Sequence, residues 1–230
     1  MITTILLDID GTLVDSNDAH AKAWQEALDE EGFDTPYSLI RPLIGMGGDN
    51  LLPALLGISA EDELGKQIQE RRAQIFKEDY LPELKAFPQT RELLELFLSW
   101  KLKLVVATSA SEKDLSGILK QVHLDDLLKI HVNADDAENS KPDPDIIIAA
   151  LKKAKVSASE ALMIGDTPYD ISASLKAGVP IIGVLCGGWD RHQLKGAIET
   201  YDNPAQILSH IDSSMVIRSF KNYKGLPSSG

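Results

Sequence analysis

A series of short apolar runs, each cut off by polar residues and each separated from the next by helical spacing, restricts this chain more than any other feature. Ile5-Leu6-Leu7 stops at Asp8, Leu104-Val105-Val106-Ala107 at Thr108, and Leu162-Met163-Ile164 at Gly165-Asp166. Ile130-His131-Val132 is a weaker run, and Ile181-Ile182-Gly183-Val184 closes the series. Continuous apolar runs suit strands covered on both faces, as in a parallel sheet. Between them, Leu115, Ile118, Leu119 and Val122 recur at helical spacing, as do Ile146, Ile147, Ala150, Leu151 and Ala154. Ile171 to Ala177 ends at Gly178, a typical residue just past a helix. The alternation predicts an α/β fold, a doubly wound parallel-sheet core of Rossmann type.

The interval from Asn17 to Lys85 breaks that rhythm. Ala19 to Glu31 reads as a helix ended by Gly32, Gly45-Met46-Gly47-Gly48 as a turn, and about Ala60 to Asp79 as a long charged amphipathic helix. No strand pattern occurs there. The expectation is an all-helical cap domain, residues 17–85, inserted into a core made of 1–16 and 86–212, with 213–230 as a weakly patterned tail. A length of 230 residues suits one large domain carrying such an insertion.

Charge and cysteine content narrow the function classes. The net charge is −12 with no dense basic run, which argues against a nucleic-acid or anionic-membrane partner. No apolar run approaches the roughly 18 residues of a membrane span. The first residues have no basic segment before their apolar run, and Cys186 is the single cysteine, so no internal disulfide is possible. A cytoplasmic setting is expected.

Four polar sites follow strand ends. The first is Asp8-Ile9-Asp10-Gly11-Thr12-Leu13-Val14-Asp15, where a turn can bring two carboxylates to one place. The second is Thr108-Ser109, the third Lys141 between Ser140 and Pro142, and the fourth Gly165-Asp166-Thr167-Pro168-Tyr169-Asp170. Each has an ordinary explanation alone: a turn, a helix cap, a surface lysine, an Asx turn. Open α/β sheets, however, bind ligands at the carboxyl ends of their strands, and four such sites make coincidence improbable.

Together, and in this order, they resemble the motifs of the haloacid dehalogenase superfamily, over about Thr4 to Leu208. The helical insertion is similar to that superfamily's C1-type cap. The resemblance implies a phosphatase acting on a small phosphorylated metabolite of phosphoglycolate or sugar phosphate type. Asp8 would be the nucleophile and Asp10 the acid and base. Mg²⁺ would be held by Asp8, Asp166 and the Asp10 backbone carbonyl, with Asp170 behind them. Thr108, Ser109 and Lys141 would grip the phosphoryl group. Dehalogenases resemble Asp-x-Tyr, so Asp10 argues against that chemistry.

The cap is expected to set specificity, with His20, the Gly47 region of the glycine turn, Arg71, Arg72 and Lys77 as candidates. The glycine turn has neither the place nor the spacing of a dinucleotide fingerprint. A sugar-phosphate mutase of β-phosphoglucomutase type is the near alternative: His20 and the Trp24 helix resemble that group. The cap turn, though, has no arginine for a second phosphate, and Gly165-Asp166 stands where Glu-Asp is typical. A catalytically silent phosphate-binding protein is the remaining alternative. Trp24, Trp100 and Trp189 are expected to pack rather than bind, and the assembly to be a monomer or homodimer.

Overall fold

Strands that are apolar on most positions need a layer on each side of the sheet. Thr4–Leu7 (β1), Lys103–Ala107 (β2), Ile130–Val132 (β3), Ala161–Gly165 (β4), Ile181–Val184 (β5) and Glu199–Tyr201 (β6) form one parallel sheet, ordered β3-β2-β1-β4-β5-β6. Of these, β1, β2, β4 and β5 have a layer on each side. This is a computed structural model describing residues 1–214. All but the start of the tail expected at 213–230 lies outside the described residues.

Alternation along each strand divides the core. Ile5, Leu7, Leu104, Val106, Leu162 and Ile164 join one cluster, with Leu94 and Phe97 of helix α5 (Thr90–Ser99), Leu115 and Ile118 of α6 (Glu112–Gln121) and Ile207 of α9 (Pro204–Ser209). Leu6, Val105, Ala107 and Met163 face the other way, onto Ile146 and Ala150 of α7 (Asp145–Ala154) and Ala173 of α8 (Pro168–Lys176). Two helical layers around a parallel sheet make the core doubly wound. β6 has no counterpart in the sequence reading. It is Glu-Thr-Tyr on the sheet edge, half-buried, and therefore lacks the apolar run that marks the other strands.

β1 lies between β2 and β4, so chain order reverses direction there. Leu7 pairs in register with Val106 and Ile164, and the residues after these strands emerge on one edge. That edge is the binding crevice of an open α/β sheet.

Between β1 and α5 the chain is helical: Asn17–Glu30 (α1), Tyr37–Ile40 (α2), Gly48–Leu56 (α3) and Glu63–Ile75 (α4). Helix α4 is shorter than the sequence expectation. It starts after Asp62, and its continuation Phe76–Tyr80 widens into π geometry. The two connections to the sheet run side by side: Val14 bridges Ala86, Asp15 N–H donates to Lys85 (3.0 Å), and Phe87 N–H donates to Leu13 (2.9 Å). No helix among the described residues is long and apolar enough to cross a membrane.

Candidate active site

The polar residues after β1, β2 and β4 converge with Lys141 under the helical segment. Asp8 is the first residue past β1; its amide still donates to Ile164 (3.0 Å), so the backbone is held in sheet register while the side chain is released into the crevice. Gly11, at φ +77°, turns the chain back. A Cβ there would collide with Asn17 and Asp166, so glycine is needed for both conformation and space.

Lys141 is 1% exposed and its ammonium lies 2.6 Å from Asp8 Oδ1 and 2.7 Å from Asp170 Oδ1. Asp170 is fixed from its other oxygen, which accepts from the Thr167 amide (3.0 Å) and hydroxyl (2.6 Å) in the capping box of α8. Thr12 Oγ1 sits 3.2 Å from Asp8 Oδ2 and 2.9 Å from Asp166 Oδ1, one hydroxyl between two carboxylates. Asn17 Nδ2 donates to Asp166 Oδ2 (3.0 Å) and to the Gly187 carbonyl (3.2 Å).

Asp10 faces a different set. Ser16 Oγ (2.5 Å) and His20 Nε2 (2.8 Å) both donate to its Oδ1. His20 stacks on Phe76, ring centroids 4.0 Å apart and planes 9° from parallel. The imidazole thus has one face against an apolar ring and its Nε2 edge against the Asp10 carboxylate.

The two aspartates differ electrostatically. Burial, only partly offset by Lys141 and reinforced by Asp170 and Asp10, pushes the Asp8 carboxyl up to about 7. Burial opposes ionisation at Asp10 as well, but His20 and Ser16 outweigh it and hold that carboxyl below the usual range. Asp166 is raised well above the ordinary carboxylate value, first by burial and then by Asp8 and Asp170. The carboxylates of Asp8, Asp166 and Asp170 offer oxygens within 4.8 Å of one another. Both Asp170 oxygens are already engaged. Asp8 shares the Lys141 ammonium with it, whereas Asp166 is held only by the neutral donors of Thr12 and Asn17. Such an all-oxygen acidic cluster fits a hard divalent cation, which would relieve a repulsion that Lys141 alone does not.

Above these groups lies a cavity that opens to solvent. Asp8, Asp10, Thr108 and Ser109 line its floor, and His20, Trp24, Ile44 to Gly48 and Arg72 its roof. Roof and floor are tied on both flanks. Asn50 Nδ2 donates to the Ser140 and Lys141 carbonyls (3.3 Å each), and the Ser140 amide to Asp49 (3.1 Å). On the opposite flank Arg41 donates to the Gly187 carbonyl (2.6 Å) and Tyr169 to the Pro42 carbonyl (2.7 Å).

Of the residues singled out in the sequence, Asp8, Asp10, Thr108, Ser109, His20 and Gly47 line this cavity. Lys141, Asp166 and Asp170 lie against its acidic end. Lys77 does not join them. It is exposed in the π turn, whose buried residue is Phe76, so its ammonium faces solvent. Arg71 also points away, to Glu30. Trp24 packs as expected, at 4% exposure, yet its ring also lines the cavity. Thr12, Ser16 and Asn17 were not legible as site residues; their only sequence signal is closeness to Asp8-x-Asp10.

A family model described as haloacid dehalogenase-like hydrolase matches residues 5–184. A phosphorylated carbohydrates phosphatase from Thermotoga maritima is 27% identical, covering 79% of this chain and 84% of its own. A phosphoglycolate phosphatase from Rhodospirillum rubrum is 28% identical, covering 90% of each. The crystal structure of a hydrolase from Pseudomonas syringae superposes with a TM-score of 0.86 at 35% identity, over 92% of this chain and 98% of that one. With its carboxylate pair at the switch point of a doubly wound sheet, this chain belongs to the haloacid dehalogenase-like hydrolase family.

Proposed function

We propose that the protein is a Mg²⁺-dependent phosphatase that hydrolyses a small phosphate monoester through an aspartyl-phosphate on Asp8. The observation that carries this reading is the separation of roles at the cavity floor. Asp8 is bound by a buried ammonium, and Asp10, two residues on, is bound by Ser16 and His20. This difference in partners supports giving the bond to phosphorus to Asp8 and the protons to Asp10.

A phosphate dianion about 4 Å from one carboxylate is repelled by roughly 8 kcal/mol at an effective dielectric of 20. Lys141 supplies one positive charge against this. Asp8 and Asp166, with the Asp10 backbone carbonyl, would hold Mg²⁺, which supplies further positive charge to the phosphoryl oxygens. Thr108 and Ser109 line the floor where those oxygens would lie. An Asp8 oxygen bonds to phosphorus as the bond to the leaving oxygen breaks, and Asp10 gives that oxygen a proton. A water then attacks phosphorus, passes a proton to Asp10, and releases Asp8 as carboxylate. The proton that Asp10 takes from water is the one that it gives to the next leaving oxygen.

The helical segment acts as the cap in this reading, closing the site against water through its ties on both flanks. The names of the relatives support a phosphoglycolate or sugar phosphate class of substrate. A single cysteine, with its thiol pushed up by burial, suits a reducing cytoplasm. Phosphate release from p-nitrophenyl phosphate, with and without MgCl₂, tests the proposal. Activity is expected to require Mg²⁺ and to vanish in Asp8→Asn; activity that survives this substitution rejects it.

A further inference from the structure

The leaving-group end of the cavity holds an arginine whose charge is already taken. Arg72, from α4, donates from Nη1 to Asp114 Oδ2 at 2.9 Å, and Asp114 belongs to α6 of the sheet layer. Both line the cavity. Their side chains are 16% and 6% exposed, so the pair is largely withdrawn from water. The guanidinium also lies over the Trp24 ring, 5.2 Å from its centroid, which fixes its plane. Its Nε is buried without a partner.

Among the described residues lining the cavity, the cationic side chains are Arg72 and, when protonated, His20. His20 is committed to Asp10. A carboxylate or second phosphate on the leaving group would bring a second anion to an arginine that Asp114 already neutralises. Burying that anion without a counter-charge of its own is costly. A hydroxyl brings no such charge. Arg72 keeps N–H donors beyond the one given to Asp114, and the carboxylate of Asp114 offers acceptor sites beyond its single bond to Arg72. The pair is neutral overall and presents both halves of a hydrogen-bonding partner for an alcohol.

Resting on the phosphatase reading, we propose that the Arg72–Asp114 pair selects phosphate esters of uncharged polyols or sugars. Esters whose leaving group carries a carboxylate or a second phosphate are rejected. Asp114 is the discriminating residue: it neutralises an arginine that would otherwise recognise an anion. This narrows the substrate to the sugar phosphate class and disfavours phosphoglycolate.

Glycerol 3-phosphate and 3-phosphoglycerate test this directly, because they differ by a hydroxymethyl group against a carboxylate. Binding to Asp8→Asn protein is measured by calorimetry with MgCl₂ present, so turnover is not required. Glycerol 3-phosphate is expected to bind at least about tenfold more tightly, equivalent to about 1.4 kcal/mol. Adding Asp114→Asn is expected to reverse or abolish that preference, by improving 3-phosphoglycerate about tenfold. Asp114→Glu, which keeps the charge, is expected to retain it. Equal or tighter binding of 3-phosphoglycerate before Asp114 is changed overturns the proposal. So does a ratio unmoved by Asp114→Asn, or the binding of neither ester at millimolar concentration. The phosphatase reading is judged separately, by p-nitrophenyl phosphate turnover in protein with Asp8 intact.

Discussion

Gly187→Ala isolates the part played by the shape around Asp166. Gly187 follows Cys186 in the loop after β5 and does not occupy the left-handed region, so alanine meets no backbone strain. Space is the whole effect. A Cβ there would stand 1.7 Å from Asp166 Oδ2 and 2.4 Å from its Cγ. Reaching even 3.0 Å requires the carboxylate to retreat by about 1.3 Å. Asp166 is fully buried, with Thr12 on one oxygen and Asn17 on the other, so it cannot retreat without breaking one of these bonds. A hydrogen bond to a charged group contributes about 1.5–3 kcal/mol. If that loss falls on the cation-holding geometry, Mg²⁺ affinity drops about 10- to 150-fold. The assay is a titration of p-nitrophenyl phosphatase activity with MgCl₂, alongside metal-free thermal unfolding to separate a weaker site from a weaker fold. A half-saturating Mg²⁺ concentration within twofold of the parent refutes the idea that Gly187 shapes the carboxylate that binds the metal.

Three further outcomes follow from the same geometry. Lys141→Met leaves Asp8 and Asp170 without their shared cation and should lower stability by about 3–5 kcal/mol in urea unfolding; a loss below about 1 kcal/mol contradicts the buried-pair argument. His20→Ala removes one of two donors on Asp10 and its stacking on Phe76, and should reduce kcat about 10- to 100-fold with KM changed far less; a change confined to KM would assign His20 to substrate binding. Saturating MgCl₂ at about 100 times Kd should stabilise the protein by about 2.7 kcal/mol, a Tm rise of about 5–11 °C for a chain of this size. Asp166→Asn should abolish that rise, and an unchanged rise would move the cation away from Asp166.

What the sequence made legible follows from how each residue acts. Asp8, Asp166 and Thr108 sit at fixed offsets from apolar runs, and strand register carries those offsets into space without loss. Asp10 and Lys141 were legible only as members of a set, since neither has a periodic pattern that aims it. β6 was invisible because an edge strand buried on few positions needs no apolar run. Asn17 was hidden for another reason: it is the first residue of α1, and only the turn at Gly11 folds it back onto Asp166.

The helical segment shows where that legibility stops. Candidates there were chosen by residue type, and type alone could not order them: Arg71, Arg72 and Lys77 are alike as cations. The helical period of α4 places Arg71 and Arg72 about 100° apart, one toward Glu30 and the other into the cavity, and the π turn then gives Phe76, not Lys77, to the interior. Even the arginine that lines the cavity would mislead by itself, because its charge suggests an anionic leaving group. Asp114, forty-two residues away on another layer, changes that meaning. In the motifs after β1, β2 and β4 a residue's chemistry is nearly its function, because the sheet fixes its surroundings. In the roof, the selectivity proposed above belongs to a pair formed between α4 and α6, and neither member shows it alone.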